Sequence, residues 1–406
     1  MRPFAHVITL DEARAIVANA ARPITRVEPV TLLDAPGRVL AEEVHAAINV
    51  PAFDRAMMDG YAVRMADTKG ASAAAPARLQ LVDALFAGAA PERALAPGEC
   101  VEIATGAPIP SGADAVVMVE ETERHDQAVH IRTAARERQH IAPQGSDIHI
   151  GDLVLRAGEV LSAAKVGALA ALGLARVPVY ARPRVVIFST GNEVVEPGQA
   201  STAASVYDVN RFTLTALVSA HGGHPQPRPP VSDDLDALGR AFDEACDADV
   251  LVCSGGSSVG ERDLLLDVIR ARGDVLFHGI AVKPGKPTAF ARVGSTILFG
   301  MPGNPTSCLT NGYVLLVPLL RAMARLPPWM PATVRARLGT RVSSPPDRHQ
   351  FYPVRVDGDV ATPVFKGSGD ITSLSQADGY FEIPAGSGSM EVGTEVVVRL
   401  FEVRGA

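Results

Sequence analysis

Arg184-Val-Val-Ile-Phe-Ser-Thr-Gly-Asn-Glu193 decides the fold. Four consecutive apolar residues, three of them β-branched, run into a hydroxyl–glycine turn. That pattern reads as a strand buried on both faces that ends in a loop. It recurs in Asp249-Val-Leu-Val-Cys-Ser-Gly-Gly256, in the stretch from Ala271 to Val282, and in Thr296-Ile-Leu-Phe-Gly-Met-Pro-Gly-Asn-Pro305. Between these runs, residues 210–221, 233–245 and 305–325 read as helices. Strands alternating with helices at this spacing predict a parallel, doubly wound sheet. Ligands of such sheets bind beyond the carboxyl ends of the strands.

Working outward, Leu326-Pro-Pro-Trp-Met-Pro331 reads as a linker, and the residues after it carry only strand signals. Upstream, Thr9 and Glu12 form a capping-box pattern before an apolar stripe of Ala13, Ile16, Val17 and Ala20. A second helix, rich in Ala and Leu, spans 162–174. Short β-like runs broken by Gly and Pro fill 50–144. The expected organisation is therefore multidomain α/β. An N-terminal elongated domain (1–49 plus 145–181) contains both helices and carries an inserted β-rich domain (50–144). The central α/β domain (182–325) and a small C-terminal β domain (326–406) follow.

The net charge of −7 argues against a general nucleic-acid binder, and the acidic groups suit divalent cations. No apolar run is long enough to span a bilayer, and the first residues show no secretory leader. Cys100, Cys246, Cys253 and Cys308 form no CxxC pair, so thiols in a reducing cytoplasm are expected rather than disulfides or zinc ligands. Of 38 basic residues only five are lysine: Lys69, Lys165, Lys283, Lys286 and Lys366. Two of them share the pentapeptide Lys283-Pro-Gly-Lys-Pro287. A compact ammonium and a planar guanidinium bind anions differently.

Four loops fall at the predicted strand ends: 189–193, 254–263, 283–287 and 301–307. Glycines with hydroxyls after a strand present backbone N–H groups to an anion. Four such loops on one rim predict a phosphate-bearing ligand contacting Ser254, Gly255, Gly256, Ser257, Pro302, Asn304 and Pro305. Glu193, Asp233 and Asp263 lie on the same rim. Singly, Asp233 and Asp263 fit helix caps; as a set the three carboxylates fit Mg²⁺. Gly256-Ser-Ser-Val-Gly260 also matches a serine-hydrolase elbow, a weaker reading because no later histidine has hydrolase context. Gly285-Lys286 is not a Walker loop, since Pro287 stands where Ser or Thr is needed. Asp59 and Asp147 read by chemistry as turn residues.

Together, Asp-Gly-Tyr-Ala at 59–62, Thr-Gly-Ala at 105–107, Gly-Ala-Asp-Ala at 112–115, the 189–193 and 254–263 loops, Lys-Pro-Gly-Lys-Pro at 283–287 and Pro-Gly-Asn-Pro at 302–305 resemble the MoeA and gephyrin-E family. The resemblance covers nearly the whole chain. It implies an elongated homodimer with a MogA-like, molybdopterin-binding α/β domain. It implies a molybdopterin molybdotransferase that takes molybdopterin-adenylate and molybdate, uses Mg²⁺, and releases AMP and molybdenum cofactor. The implied site lies between that domain and the second domain of the partner subunit. Family positions fall on Asp59, Thr105, Asp147, Glu193, Asp233 (with Asp234 as the alternative register), Asp263, Lys283, Pro302, Pro305, Arg348 and a serine near Ser368; Lys286 joins the cationic set. Other cofactor-biosynthesis proteins are possible partners. Two positions depart from the family: Gly279 where a basic residue is frequent, and Ala56 where a serine is. A non-catalytic molybdopterin-binding scaffold is the alternative, ranked lower because no long linker or fused module is visible.

Overall fold

A computed structural model of the chain describes residues 7–255 and 264–401. The chain divides into two compact units, one of residues 1–28 and 180–406, the other of residues 29–179.

In the first unit, a six-stranded sheet is built from β1 (Arg184–Ser189), β2 (His224–Pro227), β3 (Val250–Ser254), β4 (Asp274–His278), β5 (Ala289–Val293) and β6 (Thr296–Met301). Their order is β2-β1-β3-β6-β5-β4. β1, β3 and β6 are parallel, as expected; β2, over residues not read as a strand, joins them in parallel, whereas β5, likewise not read as a strand, runs antiparallel between β6 and β4. The sheet is thus mixed at one edge. Two reversals bring the end of β4 back to the same rim as the ends of β1, β3 and β6. Every residue of β3 and β6 is buried, which explains the unbroken apolar runs.

Helices cover both faces. α2 (Asn210–Ala220), α5 (Pro305–Asn311) and α6 (Val317–Met323) pack on one face through Leu214, Leu217, Cys308 and Leu320. α3 (Leu235–Asp243) and α4 (Leu264–Arg272) pack on the other through Leu238, Phe242, Val268 and Ile269. The helix expected over 305–325 is interrupted by a π-helical turn, Gly312–Leu316, where the Val317 N–H donates to the Gly312 carbonyl. Pro318 has no N–H for the preceding turn, so the ladder shifts register there.

α1 (Leu10–Ala20) has the expected capping box: the Thr9 hydroxyl accepts from the Glu12 N–H, and the Glu12 carboxylate from the Thr9 N–H. Its partner differs from expectation. Leu10, Ala13, Val17 and Ala20 enter the core of the α/β unit rather than joining the 162–174 helix in an N-terminal domain. Arg26 fastens the segment by a two-point ion pair with Asp249, at 2.8 and 2.6 Å.

The C-terminal residues of this unit form a small closed sheet. Its strands Thr333–Leu338, His349–Asp357, Val360–Pro363, Gly379–Ile383 and Glu395–Leu400 enclose a core that includes Val354, Phe381 and Val398. The short strand Val282–Lys283 adds to it in parallel at His349–Gln350.

The second unit holds two sets of core residues. One comprises Leu40, Leu161, Leu169 and Val179. The other fills both sides of a six-stranded sheet that includes Gly60–Val63, Glu99–Ile103 and Ala115–Met118. The second helix, Ala163–Ala171, is capped by Ser162. All four cysteines are free; Cys100, Cys253 and Cys308 are buried and Cys246 is exposed. Among the described residues, no helix is long and apolar enough to cross a membrane.

Candidate active-site cleft

β1 is followed by α2 on one face, and β3 by α4 on the other. The chain therefore leaves neighbouring strands in opposite directions, which opens a crevice beyond their carboxyl ends. The crevice is a cleft of about 1270 Å³. Pockets for one drug-sized ligand span roughly 300–1,000 Å³, so a ligand of more than one part fits here.

Most residues expected on the rim line this cleft: Glu193, Asp233, Ser254, Gly255, Lys283, Lys286, Pro302, Asn304, Pro305, Arg348 and Ser368. They come from loops up to 175 residues apart in sequence, as Glu193 and Ser368 show. Gly256, Ser257 and Asp263, with the hydrolase-like elbow at 256–260, lie outside the described residues.

The floor of the cleft is tied by a chain of side chains. The Asn210 amide donates to the Ser254 hydroxyl and to the Gly303 carbonyl, each at 2.7 Å. The Ser254 hydroxyl donates to the Pro302 carbonyl at 3.3 Å. Gly255 is required where it stands: its φ is +100°, and a Cβ would lie 2.3 Å from the Thr190 carbonyl oxygen. Ser189 donates to Asp208 at 2.7 Å, and Asp208 lies beside Arg211 at 3.1 Å. Burial pushes the Cys308 thiol, next to Ser254, up to about 12, so it carries no thiolate at neutral pH.

The two aspartates at 233 and 234 divide their work. Asp234 is the N-cap of α3, accepting from the N–H groups of Asp236 and Ala237 at 3.0 and 2.9 Å. Asp233, read as one possible cap, instead accepts from the Thr190 hydroxyl and faces the cleft. Among the described residues, no group of three His, Cys, Asp or Glu side chains could hold a metal ion. Glu193 and Asp233 both line the cleft, and Asp263 lies outside the described residues.

The lysine loop is held from behind. Asn311, 1% exposed, donates to the Gly285 carbonyl at 2.8 Å and to the Thr288 hydroxyl at 2.6 Å. Thr288 in turn donates to the Gly285 carbonyl at 2.9 Å. Across the cleft, Asn304 donates to the Ser368 hydroxyl at 2.9 Å, and the Thr306 hydroxyl donates to the Asp370 carbonyl at 2.5 Å. Lys366 also lines the cleft. Asn210, Asn311 and Lys366 were not among the expected site residues. Only Lys366 left a signal in the sequence, as one of five lysines.

Asp59, Thr105 and Asp147 belong to the second unit. The Asp59 carboxylate accepts from the Thr105 N–H at 2.6 Å and hydroxyl at 2.9 Å. These two bonds hold its carboxyl below the usual range, the backbone one more strongly. Asp59 is thus ionised and tied to Thr105, a more specific arrangement than a plain turn. Asp147 lies on an exposed loop. Ala56 is 1% exposed and Gly279 is buried, so neither departure from the family pattern offers a group to solvent.

A cleft at the carboxyl ends of the strands, rimmed by glycine loops and lined by lysines, defines the class: an α/β protein with a switch-point cleft whose donors would suit an anionic ligand. Comparison with known proteins makes the class particular. Residues 8–173 match the MoeA N-terminal region (domain I and II), 186–322 a probable molybdopterin binding domain, and 335–401 the MoeA C-terminal region (domain IV). The chain is 36% identical over 404 residues to molybdopterin molybdenumtransferase 2 of Mycobacterium tuberculosis, covering 96% of this chain and 98% of that protein. It is 32% identical over 404 residues to the molybdopterin molybdenumtransferase of Haemophilus influenzae, covering 97% and 99%. The solved molybdopterin biosynthesis MoeA protein from Pyrococcus horikosii matches with a TM-score of 0.83 and 39% identity, over 98% of this chain and 100% of that one. The chain belongs to the MoeA family and is a transferase.

Proposed function

We propose that this protein inserts molybdate into adenylylated molybdopterin in the cytoplasm, forming molybdenum cofactor and releasing AMP in a Mg²⁺-dependent reaction. The observation that carries this reading is the convergence of Lys283, Lys286 and Arg348 with the glycine loops in one cleft. Molybdate is a dianion and the adenylate carries a phosphoanhydride. Bringing the two together requires fixed positive charge and N–H donors to offset their repulsion. Lys283 and Lys286 supply ammonium groups, and Arg348 a guanidinium. The Asn311 clamp and the Asn210 tie hold these loops in place before substrate arrives, so the residues act mainly by positioning.

The cleft's oxygen donors suit Mg²⁺, which keeps several waters and needs only one or two carboxylates besides substrate phosphates. Glu193 and Asp233 would hold it, with Asp263 as the third expected ligand. When bound, the ion supplies charge neutralisation at the phosphoanhydride.

Asp59, Thr105 and Asp147 are proposed to complete the site from the partner subunit of a homodimer. Light scattering that found only monomer at micromolar concentration would count against the composite site. The two separate cores of residues 29–179 support treating 50–144 as an inserted domain. The deciding experiment incubates the protein with molybdopterin-adenylate, Mg²⁺ and molybdate. AMP release coupled to active cofactor is expected; absence of both overturns the proposal.

A further inference from the structure

We infer that Lys366 is an additional anion-binding residue of the cleft, contributed by the C-terminal β region and taking a tetrahedral oxyanion or phosphoryl group. The inference rests on the functional reading above and extends it to a residue which that reading does not use.

Three observations carry it. Lys283, Lys286 and Lys366 all line the cleft, although the chain has only five lysines. Chance placement of five lysines would put fewer than one there. In a protein that otherwise uses arginine for its cations, the cleft is where ammonium groups collect. A compact, rotatable ammonium suits a small tetrahedral anion, whereas a guanidinium needs a planar partner.

The residue is also held at both ends. Its backbone N–H donates to the Ser373 hydroxyl at 3.1 Å, and its Nζ donates to the Thr372 hydroxyl at 3.0 Å. A threonine hydroxyl fixes the ammonium while leaving its charge uncompensated. Among the described residues no carboxylate pairs with Lys366, in contrast to Lys165, whose ammonium lies 2.8 Å from Glu159. An ammonium has three donors; one is used by Thr372, so two remain for a ligand.

Finally, the loop bearing Lys366 is fastened to the rest of the cleft. Ser368 accepts from Asn304 at 2.9 Å, the Thr306 N–H donates to the Ser368 carbonyl at 3.2 Å, and the Thr306 hydroxyl donates to the Asp370 carbonyl. These bonds join the loop to the Pro302–Pro305 turn, so the cation keeps its place relative to the proposed substrate loops.

The test uses the full chain and two probes, sodium molybdate and AMP, each titrated by calorimetry into wild type, Lys366→Met, Lys366→Arg and Thr372→Val. Losing a hydrogen bond to a charged group predicts affinity at least about tenfold weaker in Lys366→Met. Thr372→Val keeps the charge but frees it, so a smaller loss is expected, and Lys366→Arg should fall between wild type and Lys366→Met. Loss confined to molybdate marks an oxyanion subsite, and loss confined to AMP marks a phosphoryl subsite; either supports the inference. In the insertion assay the loss should appear in KM with kcat nearly unchanged, which a merely structural lysine would not produce. If wild type binds a probe and Lys366→Met binds both as wild type does, the inference is overturned while the functional reading stands. If wild type binds neither probe, the anion-cleft reading falls, and this inference with it.

Discussion

Substituting Gly285 by alanine tests how the lysine loop is held. Gly285 has φ +109°, and a Cβ there would lie 2.5 Å from Nδ2 and 2.7 Å from Oδ1 of Asn311. Two costs follow. The backbone conformation is strained for any L side chain, at about 1–3 kcal/mol. Asn311 must also move, and its buried amide then loses the bonds to Gly285 and Thr288, at about another 1–3 kcal/mol. The sum is roughly 2–6 kcal/mol, a fall in Tm of at least about 4 °C at roughly 2–4 °C per kcal/mol. Gly358→Ala is the control, because φ is +57° there with nothing within 4 Å of the new Cβ. It should cost only about 1–2 kcal/mol. Asn311→Ala removes the collision, so Gly285→Ala should cost less in that background than in wild type. Calorimetric melting of the four variants and wild type closes the cycle. The reasoning is refuted if Gly285→Ala costs no more than Gly358→Ala, or if the Gly285 and Asn311 effects add to within about 0.5 kcal/mol.

Other expectations are as direct. Lys283→Arg should lose most molybdate insertion despite conserving charge, with a milder loss for Lys286→Arg; wild-type cofactor yield across molybdate concentrations would remove the role of the ammonium. Asp234→Ala should cost about 1 kcal/mol of stability by loss of the α3 cap with insertion intact, while Asp233→Ala should do the reverse; melting and AMP release measured on both variants separate the two. His221 packs edge-on against the stacked pair Tyr313 and Trp329, and burial, with help from the Arg321 charge, lowers its pKa from 6.5 to about 4. The folded state therefore resists protonation, so stability is fully present above pH 6.5 and declines as pH falls toward 4, by about 3 kcal/mol. His221→Phe should flatten that decline in urea midpoints; an unchanged slope would show that other groups set it.

β2, His-Pro-Gln-Pro, has no apolar run to read, but β1, β3 and β6 were legible because their evidence is local: apolar runs end in glycine loops within ten residues. The same holds for the Thr9–Glu12 box. What an apolar stripe packs against is not local, and so α1 joined the α/β core rather than the expected domain. The antiparallel edge was hidden because Ala289–Val293, interrupted by the exposed Arg292, gives no unbroken apolar run, and direction depends on how the 279–288 loop folds back. The break in the 305–325 helix is carried by Pro318 within an otherwise continuous apolar run. Site residues in glycine-rich loops were readable from composition. Asn210 and Asn311 were not, because their partners lie 44, 93 and 26 residues away, and a single asparagine has no pattern before the chain has folded. Asp233 and Asp234 were separated only by geometry, since either could precede a helix.

The strand Val282–Lys283 belongs to two bodies. It leaves the end of β4, yet it pairs with His349 and Gln350 of the C-terminal sheet, where the His349 N–H donates to the Ala281 carbonyl at 2.8 Å. Modules recognised by sequence end at 322 and begin at 335, but the mechanical seam does not run between them. An α/β domain excised at that point would carry Lys283 on a ribbon stripped of its neighbour. A chimera that exchanged the C-terminal module would have to reproduce the edge at 349–350 for the ammonium to return to its place. In this chain the two modules therefore share one edge, although each looks separable on paper.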